Sequence, residues 1–244
     1  MLLPTPRHYD PLRAWRLAAT YLGLLTTFSW LAGTPQWLIR QPLTTGGQLA
    51  DPRWWSLLLA CLLFTVEAYG LYWPRHTLRF ERPLRPLAQA GFGLAWGLAL
   101  GLWMLTLVRW ARDWLPGHGA AGVPALLLAF LLISLWQALV QSYFWGVHVT
   151  PEHDTPASNR SKVWRCHVPF LASGMWFLGA FGNAALFVGL QVLCLVITSL
   201  AMRMPPWWDR TPQRAVTTSA GLLGLPRTHG WQGPSSTFSP SVPR

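Results

Sequence analysis

Apolar residues in this chain gather into blocks of about 20, the length of helix that crosses roughly 30 Å of hydrocarbon at 1.5 Å per residue. The pattern predicts spans over about 15–33, 54–73, 87–108, 123–147, 163–181 and 184–204. Polar punctuation separates them. Gly33-Thr34-Pro35 closes the first block, and Pro42, Gly46, Gly47 and Pro52 mark the following connection as a loop. Trp54 and Trp73 bound the second block, where interfacial indoles are expected, and Pro74 is expected to end it. Pro124 sits in the first turn of the fourth, where a missing N–H costs nothing. The run from Val168 to Met204 holds 37 residues, too many for one crossing. Gly182-Asn183 is the predicted turn between two. The fifth span must then recruit Val163 to His167, with Lys162 and Arg165 snorkelling at its end.

Composition turns this pattern into a class. Of the 244 residues 52% are hydrophobic and 11% charged, with a mean hydropathy of +0.28. A soluble domain carries about 25% charge, so too little polar surface exists here to clothe a water-soluble globule. The predicted fold is all-α: an integral membrane bundle of six transmembrane helices in residues 1–204, with five spans as the alternative count. Residues 205–244, with seven prolines in 40 positions, read as a disordered basic tail.

Charge then orients the bundle. The net charge of +11 comes from 18 arginines and one lysine, almost all in the connections. That distribution fits basic loops on one membrane face and gives no reason to expect nucleic acid as a partner. Six spans place 15 of the 19 cations on the side of both termini and four opposite, whereas five spans give 10 against 9. The positive-inside rule therefore favours six spans in the cytoplasmic (inner) membrane, with both termini cytoplasmic. The N-terminal residues lack the order of a cleavable signal, so the first block is expected to act as an uncleaved anchor. Cys61, Cys166 and Cys194 form no close pair and imply neither a disulfide framework nor a CxxC site.

Candidate chemistry is sparse. Gly93, Gly97 and Gly101 recur every four residues in the third span and make a groove for close helix approach. Packing within the chain is the first expectation there, and contact with other membrane subunits the second. Glu67 is the one acid inside a predicted span, about 9 Å from its cytoplasmic boundary at 1.5 Å per residue. A carboxylate at that depth is a functional-site hypothesis by default, although wetting or an arginine partner would also explain it. Gln137 and Gln141 share one face of the fourth span, which leads to His148. His148, Glu152, His153, Asp154 and His167 then gather at the cytoplasmic face. Imidazole with carboxylate suits zinc or non-haem iron, which makes His148, His153 and His167 weak metal-ligand candidates. No HExxH spacing occurs and Pro151 breaks the register, so no metal site is predicted. Turns and caps at Thr150-Pro151 and Asp154-Thr155-Pro156 are the plainer reading.

Arg160 is expected to hold an anionic headgroup, with Gln141 a second ligand contact. Asn183 is expected to serve turn geometry, and Gln191 to bond to a neighbouring helix. Of the 17 tryptophans, Trp96, Trp103, Trp136 and Trp176 fall inside spans. There they either pack or line a pocket for a flat apolar ligand such as a quinone, carotenoid or porphyrin.

The chain carries no P-loop, GxSxG or dinucleotide fingerprint, and no inverted pair of broken helices. The leading expectation is a non-catalytic accessory or assembly subunit, or an apolar-ligand binder, seated in the lipid bilayer. The second is a membrane-embedded enzyme acting on a lipid or isoprenoid at the cytoplasmic leaflet, using residues among Glu67, His148, Glu152, His153, Asp154 and His167. A small transporter is third. The sequence names no cofactor.

Overall fold

Glycines, prolines and small polar caps set where the helices of the computed structural model begin. It describes residues 11–75, 79–80, 83–117, 122–141, 160–204, 206–208 and 215–216. Gly33, at φ 68°, separates α1 (Pro11–Leu31) from the short α2 (Thr34–Ile39). Thr45 and Gln48 form a reciprocal capping box on α3 (Gly46–Ala50). Asp51 caps α4 (Pro52–Thr65) by accepting from the Arg53 backbone N–H at 2.9 Å. Hydrogen bonding from the Arg53 guanidinium, 3.2 Å away, holds the Asp51 carboxyl below its usual range. Helix α4 continues through a π-helical segment, Val66–Tyr72, into a last turn at Trp73–Arg75. Then come α5 (Pro86–Trp114) and α6 (Val123–Trp136), the latter extended by a second π segment, Gln137–Gln141. A third, Val163–His167, lies inside α7 (160–181). Gly182, at φ 69°, and Asn183 turn the chain into α8 (Ala184–Ala201). A two-residue antiparallel pairing joins β1 (Arg79–Phe80) to β2 (Ala215–Val216).

The described fold is thus all-helical, and four helices are long and apolar enough to cross a membrane: Pro52–Tyr72, Pro86–Trp114, Val123–Val140 and Ala184–Ala201. Helices α1 and α7 are of similar length but less apolar. Arg13, Arg16 and three threonines dilute α1, while Arg160, Lys162, Arg165 and His167 load the start of α7.

Contacts along the helices fix their directions. Trp15 meets Phe92 at 4.5 Å, Phe28 meets Trp103 at 6.1 Å and Thr34 bonds Thr106 at 2.8 Å, so α1 and α5 run parallel. Helix α8 runs antiparallel to α5 along its glycines. A Cβ on Gly93 would fall 2.6 Å from Val196 Cα, one on Gly97 2.5 Å from Val192 Cα, and one on Gly101 3.0 Å from Val188 Cγ1. The groove is therefore filled from within the chain, and the expected subunit contact through Gly93, Gly97 and Gly101 has no room. Trp54 against Phe177 at one end and Ala68 against Cys166 at the other make α4 and α7 antiparallel. Gly179 abuts Leu126, and Leu171 faces Ser134 across a cavity, which makes α6 and α7 antiparallel as well. Helices α1, α5 and α7 run one way, and α4, α6 and α8 the other.

Helix α5 is the centre of the bundle, with 78% of its most apolar window buried against 17% for α6. Leu127, Leu131, Leu135 and Leu139 recur along α6 and are all exposed. Apolar faces of this kind on membrane-competent helices suit contact with a lipid bilayer. One expectation about tryptophan changes. Trp54 and Trp73 stand at opposite ends of α4, as expected, and are buried at 2% and 5% exposure. Trp176, expected in the interior, is 70% exposed on the outer face of α7.

At the end of the bundle holding the α7–α8 turn, buried Asn183 ties three segments together. Its Oδ1 accepts from Trp54 Nε1 at 2.8 Å, and its Nδ2 donates to Leu43 O at 3.0 Å and to Gln48 Oε1 at 3.1 Å. Gln48 Nε2 completes the knot by donating to Phe181 O at 2.7 Å. Arg109 secures the α1–α2 corner nearby, donating to Ala32 O and Thr34 Oγ1 with its guanidinium over the Trp37 ring. Gln191 departs from expectation: its Nε2 is buried and has no hydrogen-bond partner among the described residues.

Candidate functional site: a cavity walled by π-helical turns

The opposite end of the bundle contains the cavity. Two of the three π segments end just ahead of a proline, Pro74 and Pro169. Proline lacks the N–H for an i→i−4 bond and crowds the carbonyl four residues back. The helix here widens to i→i+5 bonding and passes the proline; the described α4 ends at Arg75, one residue beyond Pro74 and close to the expected end. The third segment, Gln137–Gln141, has no such proline and no evident local cause. Widened turns of this kind concentrate at functional sites.

All three face one cavity of about 320 Å³. Tyr69 comes from the first π segment, Gln137 from the second, and Val163 and His167 from the third. Trp96 of α5, Ser134 of α6, Leu171 of α7, and Leu195 and Thr198 of α8 close the walls, with Trp73 and Arg160 at the rim. Trp96 and Tyr69 are fully buried, whereas Ala138, Arg160 and Val163 are exposed and mark the mouth between α6 and α7.

Polar and aromatic pairs hold the first and third π segments together. Tyr69 Oη lies 2.7 Å from His167 Nδ1, and Tyr72 Oη lies 2.6 Å from Ser161 Oγ. Cys166 Sγ donates to Ala68 O at 3.5 Å. Trp73 packs edge-on to His167 at 4.8 Å, and Phe170 edge-on to Tyr69 at 5.2 Å. Arg165 lies over Tyr72. Lys162, expected to snorkel, is fully buried with its ammonium 5.0 Å from the Trp73 ring centroid. The direction of the Tyr69–His167 bond follows the imidazole tautomer: when the Tyr69 hydroxyl donates to Nδ1, the His167 proton lies on Nε2 and the ring is a donor, and in the other tautomer Nδ1–H donates to Tyr69.

His167, Arg160 and Trp96, singled out from sequence on separate grounds, are thus brought to one cavity. Other candidates are not. Glu67 is exposed on the π segment of α4 and does not line the cavity. Trp103 and Trp136 pack against each other at 5.0 Å, and Trp136 Nε1 donates to Tyr21 Oη at 2.9 Å, away from it. His148, Glu152, His153 and Asp154 lie outside the described residues, as does the side chain of Gln141. Among the described residues no three His, Cys, Asp or Glu side chains group as metal ligands. Sequence reading missed Tyr69, Ser134 and Thr198. The signal for Tyr69 was Pro74, five residues on, read as a stop.

Fold and site together define a helical membrane protein with a polar-tipped aromatic cavity near one end of its bundle. Comparison with protein-family models, with curated proteins and with solved structures returned no match to this chain.

Proposed function

We propose that this protein is a non-catalytic, multi-pass binder of an apolar ligand in the cytoplasmic membrane. The side chains that three π-helical segments bring to one aromatic cavity carry this reading, because widened turns concentrate at functional sites. The cavity volume supports it, lying at the lower end of the roughly 300–1,000 Å³ typical of small-ligand sites. Six spans with both termini cytoplasmic accompany the proposal. The alternating directions of the six long helices support it, as does the excess of arginine on one side. That topology sets the cavity in the cytoplasmic half of the bilayer.

The part-buried Tyr69–His167 pair favours a second reading, an enzyme acting on a lipid or isoprenoid with His167 moving a proton. Glu67, exposed and outside the cavity, drops from that catalytic set.

The test is organic extraction and mass spectrometry of the protein purified in mild detergent, with an absorption spectrum of the same sample. Wild-type protein is expected to carry a lipophilic compound enriched over bulk membrane lipid. Leu171→Trp, which fills the cavity, and Ala138→Trp, which blocks its exposed mouth, should both lose it while remaining folded. Identical extracts from wild type and Ala138→Trp would sink the proposal.

A further inference from the structure

Resting on the cavity-binder reading, we infer that the ligand is a single-chain amphiphile with an anionic, phosphate-like head, held between Arg160 and His167 with its chain against the aromatic floor. The charges around the cavity decide the head. No Asp or Glu is among its lining residues, and the polar groups that do line it are Arg160, His167, Gln137, Ser134, Thr198 and Tyr69. Arg160 has no ion-pair partner among the described residues and stands at the mouth, where a guanidinium matches phosphate oxygens two at a time. Thr198 already donates its hydroxyl to Cys194 O, and Tyr69 is engaged by His167. Arg160, the Gln137 amide, the Ser134 hydroxyl and, in its Nε2–H tautomer, His167 therefore remain as donors, all suited to an acceptor-rich head. A cationic head would find no counter-charge in this wall and would sit against a guanidinium.

The floor decides the rest. Below the donors lie Trp96, Leu171 and Leu195, all buried and apolar, so the ligand beyond its head is hydrocarbon. At about 320 Å³ the cavity admits a head and one chain rather than a two-chain lipid. The mouth, bounded by the exposed residues Ala138, Arg160 and Val163, opens between α6 and α7, both of which the six-span proposal sets in the bilayer. Entry is therefore sideways from the bilayer, with the head entering last and staying at Arg160.

The experiment titrates the purified full chain, in a neutral detergent, with probes of one chain length: dodecyl phosphate, dodecanol and dodecyltrimethylammonium, together with inorganic phosphate alone. Thermal shift and calorimetry read the binding. Dodecyl phosphate is expected to bind about tenfold or more tightly than dodecanol, an increment typical of a charge-assisted pair. The ammonium probe should bind weakest, and inorganic phosphate should not compete. Arg160→Gln should erase the preference for phosphate while leaving dodecanol binding in place. If all three alkyl probes bind alike and Ala138→Trp abolishes each, the cavity reading stands and the anionic head is wrong. Competition by inorganic phosphate at equal strength would make the site one for a soluble anion and overturn the amphiphile. Absence of all binding, unchanged in Ala138→Trp, would overturn both readings together.

Discussion

Asn183 shows how much a single buried amide decides. Sequence reading expected it to serve the backbone of a turn, and the turn is there, but its side chain does more. It joins the loop at Leu43, the cap at Gln48 and the indole of Trp54 to the corner between α7 and α8. Asn183→Ala would leave the buried Trp54 N–H and the part-buried Leu43 carbonyl and Gln48 Oε1 without this partner, and the buried N–H alone costs about 1–3 kcal/mol when unsatisfied. Thermal unfolding in detergent should show a clear loss of stability, with Asn183→Asp, which keeps an acceptor for Trp54, falling between. A melting curve that matches wild type would mean that water replaces the whole knot. At this scale sequence reading erred where it judged depth without direction. Glu67 was singled out by its depth alone and is exposed, as the wetted alternative allowed; Trp176, also inside a span, faces outward. His167 and Arg160 were found by their chemistry alone, because few other polar residues compete for attention.

At the scale of elements, the glycine repeat was the most legible feature and the π segments the least. Small residues every fourth position predict close approach whichever helix arrives, and α8 arrives with its backbone against them. Gly97→Ala would drive a Cβ to 2.5 Å from Val192 Cα, a backbone atom that cannot rotate aside. Overpacking of this kind costs about 1–3 kcal/mol, so folded yield and melting temperature should fall. Gly189 on α8 provides the contrast. A Cβ there meets nothing within 4 Å, and alanine is the better helix former by about 1 kcal/mol. Gly189→Ala should be neutral or stabilising, and equal losses in the two variants would mean that the α5–α8 contact is looser than its geometry. Pro74 stood in plain view but was given its commonest meaning, a helix stop, and Pro169 was given none. What the sequence could not show was that α4 and α7 reach and pass these prolines through a wider turn.

At the scale of the whole molecule, the count of crossings turns on α1 and α7, which fall short on apolarity and not on length. Four helices qualify by composition alone. Yet α1 runs parallel to α5 from Trp15–Phe92 to Thr34–Thr106, and α7 runs antiparallel to α4 from Cys166–Ala68 to Phe177–Trp54. Each lies beside a membrane-competent helix for nearly its whole length, and the cations of α7 sit at the end where snorkelling or a ring face can accommodate them. This alignment supports the six-span proposal. The counts part cleanly by experiment. The three native cysteines are buried, so single cysteines can be introduced at Thr77, His118 and Thr217 and probed with a membrane-impermeant maleimide in intact cells. Six spans put positions 77 and 217 on the same, protected side and leave 118 open to label. Four or five spans put 77 and 217 on opposite sides, because each removes an odd number of crossings between them. Labelling of exactly one of those two positions would therefore overturn the six-span arrangement, and with it the assignment of the Arg160–His167 end of the cavity to the cytoplasmic leaflet.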